Sequence, residues 1–116
     1  MKTRILLASI LIAGLSTPAF AHAKLQQASP AAGDTVATAP KQIALSFSEQ
    51  LEPTFSGVAV TDAGGHDVEA AKPAIGGTSM TVALKPLAPG VYHVNWHAVA
   101  VDTHRTEGTY IFTVKP

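Results

Sequence analysis

The chain has 116 residues, 47% of them hydrophobic, with eight Lys/Arg, eight Asp/Glu and no cysteine. This length sets one small domain, and the even charge excludes a nucleic-acid binder, which needs a basic face. Without cysteine there is no disulfide, no thiolate metal site and no acylated lipoprotein anchor, so any metal must be held by nitrogen, oxygen or thioether.

The first element in chain order reads as an export signal. Lys2 and Arg4 make a basic start, Ile5 to Leu15 is a nearly unbroken apolar run, and Ala19-Phe20-Ala21 has the small-x-small pattern of a cleavage site. The apolar run is about half of the ~20 residues a membrane span needs, and Pro18 follows it closely. Residues 1–21 are therefore predicted to be a cleaved signal peptide, with the cut after Ala21 favoured over one after Ala23. What remains is an exported domain, residues 22–116, with six Lys/Arg against eight Asp/Glu and nothing to insert it into a membrane.

From there the chain is a series of short runs in which apolar residues alternate with others, the period of a strand with one buried face. Ile43, Leu45 and Phe47 form one apolar side, Val58 and Val60 a second, and Met80, Val82 and Leu84 a third. After Pro89-Gly90, Tyr92, Val94 and Trp96 take one side while His93, Asn95 and His97 take the other; Tyr110, Phe112 and Val114 repeat the pattern. Ser29-Pro30, Ala32-Gly33-Asp34, Ala63-Gly64-Gly65 and Gly76-Gly77 mark turns, and Pro40, Pro53, Pro73 and Pro86 stand between runs. About seven antiparallel strands of this length predict an all-β, immunoglobulin-like sandwich. Trp96 is expected to anchor its core.

Chemistry concentrates in two places. Between the last two runs lies Asp102-Thr103-His104-Arg105-Thr106-Glu107-Gly108, and polar loops held by rigid strands are where sites are usually built. In extended backbone Asp102 and His104 would point the same way about 7 Å apart, within reach of one ion. Alone, an Asp-x-His in a hairpin is more often a solvated turn. His22 strengthens the metal reading, because cleavage at Ala21 would expose its α-amino nitrogen beside its own imidazole and make one residue a chelate. With His104 and Asp102 this gives a nitrogen and oxygen set suited to Cu(II), which also leads the divalent affinity order for such ligands. The plain alternative is a frayed terminus.

The resemblance that these residues carry spans nearly the whole mature chain. His22-Ala23-Lys24-Leu25, Ala28-Ser29-Pro30-Ala31-Ala32-Gly33 and Leu45-Ser46-Phe47-Ser48-Glu49 make up its first end. Gly90-Val91-Tyr92-His93-Val94-Asn95-Trp96, Ala98 to His104 and Gly108-Thr109-Tyr110-Ile111-Phe112 make up its second. In order and spacing the chain resembles the periplasmic copper-binding CopC proteins. The resemblance implies a seven-stranded Greek-key sandwich, a non-enzymatic role in copper resistance or homeostasis, and Cu(II) ligands at His22, Asp102 and His104. It places Glu49 near the site, and it suggests an inner-membrane copper transporter of the CopD type as partner.

Some members have a methionine-rich Cu(I) site as well. Here the only methionine after residue 21 is Met80, on the apolar side of a strand, so a Cu(II)-only protein is expected and Met80 should be core. His93 and His97 should lie about 13 Å apart along one strand, and His66 should be an exposed turn residue. Two other functions fit part of the pattern. One is an oxidative copper enzyme of the polysaccharide monooxygenase kind, which shares an N-terminal histidine chelate; the short chain, the added carboxylate and the few aromatics argue against it. The other is a metal-free immunoglobulin-like interaction module.

Overall fold

Alternation makes a strand two-faced, and the computed structural model, which describes residues 22–116, shows this run by run. Eight strands follow in order: β1 (Leu25–Ser29), β2 (Thr35–Val36), β3 (Gln42–Phe47), β4 (Gly57–Asp62), β5 (Ala74–Gly76), β6 (Ser79–Ala83), β7 (Gly90–Val99) and β8 (Arg105–Val114). The residues expected to face inward do so. Ile43, Val60, Met80, Val94 and Phe112 have no exposed surface, and Leu45, Phe47, Val58, Val82, Leu84, Tyr92, Tyr110 and Val114 are buried with them. Full burial of each large aliphatic or aromatic side chain contributes about 1.5–3 kcal/mol. The predicted signal peptide lies outside the described residues. Among the described residues no helix is long and apolar enough to cross a membrane.

The strands form two four-stranded sheets, β1-β3-β6-β5 and β2-β8-β7-β4. This is the immunoglobulin arrangement of four strands against three, with one difference that accounts for eight strands where about seven were expected. The first strand is divided: β1 pairs antiparallel with β3, and β2 pairs with β8, the one parallel pairing between named strands among the described residues. Pro30 follows β1 and has no N–H to continue a ladder. The chain then turns through Gly33, whose φ of +78° suits glycine, and enters the other sheet. A tyrosine corner completes the likeness, since the Tyr92 hydroxyl at the start of β7 donates to the Ala88 carbonyl.

Trp96 is half-buried, as an anchor at the end of the core. Its ring meets Phe47 edge-on at 5.2 Å between centroids, and it covers Gly108, its partner on β8. A Cβ at Gly108 would lie 2.5 Å from the indole Cζ2, and the ring's contact with Phe47 restricts how it can yield. Gly108→Ala should therefore lower stability by about 1–3 kcal/mol, read as a fall of several degrees in Tm. An unchanged Tm would mean that the indole moves at no cost.

Candidate metal centre

The longest hairpin sets the site. β7 and β8 pair over ten residues, from Gly90↔Val114 to Val99↔Arg105, so the loop between them stands on the most extended ladder of the fold. Its base is fixed twice: Ala100 bridges to Leu51, and the Val101 N–H donates to the Gln50 carbonyl at 3.1 Å. Within the loop, Thr103 N–H donates to the Ala100 carbonyl at 2.8 Å and Ala100 N–H to the His104 carbonyl at 3.1 Å.

This loop is a tight turn, which corrects the extended backbone expected for Asp102-Thr103-His104. Thr103 has φ +76°, a left-handed conformation uncommon for a β-branched residue. The reversal does what extension was expected to do. It brings the Asp102 carboxylate onto His104, where one oxygen accepts the His104 N–H at 3.1 Å and the other lies 3.3 Å from Nδ1. The bond from the His104 N–H holds the Asp102 carboxyl below the usual carboxylate range, and the His104 and His22 imidazoles act in the same direction. Protonation of this carboxylate below its ordinary range therefore loosens the turn, so acid works against the loop's geometry.

His22 arrives from the other end of the chain. It is exposed, but the next residue is not: Ala23 is fully buried in the core. The His22 and His104 rings meet edge-on, 5.0 Å between centroids. An ion about 2 Å from a ring nitrogen lies roughly 3 Å from that ring's centre, so two imidazoles sharing one ion have centres up to about 6 Å apart. The observed separation fits.

The structure thus places two of the predicted ligands, His22 and Asp102, each against the third, His104. Among the described residues, no three His, Asp or Glu side chains converge as a ready-made metal cage. Here Asp102 is turned toward His104 Nδ1, and the remaining predicted donor is the His22 amine, which in the 116-residue chain belongs to the Ala21–His22 peptide bond. Glu49, expected nearby, is half-buried and directly follows Ser48, whose hydroxyl touches the His22 carbonyl. Two residues that sequence reasoning passed over belong to this region, Ser48 and Thr106. Thr106 donates to the Ala23 carbonyl at 2.7 Å. Single hydroxyls leave no pattern in a sequence, and their role depends on register between distant strands.

The other histidines lie elsewhere, as expected. His93 and His97 sit four residues apart along β7, paired with Ile111 and Glu107 on β8. His66 is in the turn after β4, exposed, with Nδ1 3.3 Å from an Asp62 carboxylate oxygen. Met80 is core.

Comparison with known proteins agrees with the fold. The CopC domain family matches residues 25–115. Copper resistance protein C of Pseudomonas syringae pv. tomato is 41% identical over 110 residues, covering 87% of this chain and 86% of that protein. Among solved structures, CopC from Methylosinus trichosporium OB3b superposes with a TM-score of 0.75 at 35% identity, over 82% of this chain and 95% of that one. PcoC, a methionine-rich copper resistance protein from Escherichia coli, gives 0.72 at 43% identity, over 82% of this chain and all of the other. This chain belongs to the CopC family of copper resistance proteins.

Proposed function

We propose that the chain, once residues 1–21 are removed, is a periplasmic carrier that holds one Cu(II) ion and buffers, sequesters or delivers it. The ion is held by the amine and imidazole of His22, the imidazole of His104 and the carboxylate of Asp102, with Glu49 beside them. A single observation carries this reading: the residue that cleavage would make the new terminus already lies against His104, with 5.0 Å between ring centroids. Cleavage after Ala21 rather than Ala23 is supported by the fold, because the later cut would remove Ala23, a fully buried core residue. Met80 has no exposed surface, which supports a site for the oxidised ion alone, since thioethers are what would favour Cu(I). The role is that of a carrier, with no catalysis implied, and delivery would be to an inner-membrane copper transporter of the CopD type.

Titration of Cu(II) into the chain that begins at His22 tests the reading, with one tightly bound equivalent expected. The pH profile of the same titration tests the ligands. Amine and imidazole donors bind metal only when deprotonated, so acid weakens them, whereas the Asp102 carboxyl, held below the usual range by the His104 N–H, keeps its charge to lower pH. Affinity is expected to fall at least about tenfold between pH 7 and pH 5. A flat profile across that interval would rule out this donor set.

A further inference from the structure

Two hydroxyls reach the segment ahead of β1 from opposite sheets. Ser48, just past β3, accepts the Lys24 N–H at 2.9 Å and donates to the His22 carbonyl at 3.2 Å, while its own N–H donates to the Lys24 carbonyl at 2.9 Å. Thr106, on β8, donates to the Ala23 carbonyl at 2.7 Å. Each of the three residues before the first strand is thus tied to the body by at least one backbone group, and Ala23 is buried between the two attachments. Chain ends fray unless they are tied down. Here the tie lies beside His104.

The geometry points to Ser48 and Thr106 as positioning residues for the copper site: they hold residues 22–24 in register before any metal arrives, so that His22 stands beside His104. This rests on the function proposed above. Thr106 is the second residue of β8 and lies two residues past His104, which immediately precedes that strand, so its bond to Ala23 ties the N-terminal segment to the start of the strand that follows the second imidazole. Ser48 fixes the backbone on either side of that bond, holding the His22 carbonyl and both polar groups of Lys24. Together they supply in the free protein an ordering that metal binding would otherwise have to impose. Groups that orient ligands without touching the metal typically change affinity by 10–100-fold when removed.

The test uses the chain beginning at His22, with Thr106→Val, Ser48→Ala and the double variant. Thr106→Ser serves as the conservative rescue. Tyr92→Phe removes a hydroxyl clamp at the far end of β7 and controls for general loosening. Cu(II) affinity should fall about tenfold for each single variant and about a hundredfold for the double, with an altered Cu(II) electron paramagnetic resonance spectrum. Thr106→Ser should restore both, and Tyr92→Phe should leave both unchanged. In metal-free protein, Thr106→Val should speed hydrogen exchange at the Lys24 amide at least about tenfold, since opening of the segment then lacks one tie. Affinity within twofold of wild type in the double variant, with an unchanged spectrum, would overturn the assignment. If the wild-type chain took up no copper the proposed function would fall, and unchanged Lys24 exchange in metal-free Thr106→Val would overturn the clamp independently of it.

Discussion

Adding one residue before His22 should weaken Cu(II) binding by about 10²–10⁴-fold relative to the chain that starts there. The extension leaves every side chain in place and alters one atom's chemistry, turning the terminal amine into an amide nitrogen. An amine and an imidazole on one residue bind as a chelate, the second donor closing at high effective concentration, and that gain is what the extension removes. The fold should not respond, since His22 is exposed and the first buried residue is Ala23. Competition titration of both chains, with a melting curve for each, separates these effects. Equal affinities would eliminate the terminal amine as a ligand.

Replacing His104 with alanine should cost at least about a hundredfold in Cu(II) affinity while lowering stability by no more than about 1 kcal/mol, the range of a partly exposed ion pair such as its contact with Asp102. The asymmetry follows from where the loop's strength lies. Its hydrogen bonds at Ala100 and Thr103 are between backbone groups, and the bond into Asp102 comes from the His104 main chain. His104→Ala keeps all of these and deletes the imidazole that faces His22. A large fall in Tm would show that the imidazole supports the turn. Retained affinity would show that copper binds elsewhere, with exposed His66 the first residue to examine.

Five of the eight strands could be read from residues alone, and the three missed share a physical cause. β3, β4, β6, β7 and β8 carry enough alternating apolar residues to announce a buried face. β1, β2 and β5 do not: Leu25–Ser29 contains two adjacent glutamines and an irregular register, β2 is two residues long, and β5 is Ala-Ile-Gly. Strands with so little apolar alternation are defined by the partner they pair with. The site divides in the same way. His22, Asp102 and His104 were legible as candidates because the cleavage pattern singles out one of five histidines and the hairpin sets an aspartate two residues from another. Thr103 was not, because a left-handed threonine has no sequence signature and exists only where Ala100, Asp102 and His104 determine the turn around it. Ser48 and Thr106 were hidden among many hydroxyls, and only the packing of β3 and β8 against the N-terminal segment distinguishes them.

The meeting of His22 with His104 joins the beginning of the domain to its last hairpin. A chain without cysteine has no covalent bond to close such a loop, but an ion shared by those two residues would enclose roughly 80 residues, a cross-link worth about 4–5 kcal/mol of denatured-state entropy on the disulfide scale. Copper would then be part of what holds the sandwich shut as well as its cargo. Surrendering the ion would remove that cross-link and leave the N-terminal segment held only by its hydrogen bonds to Ser48 and Thr106, so the loaded protein should be the more stable of the two.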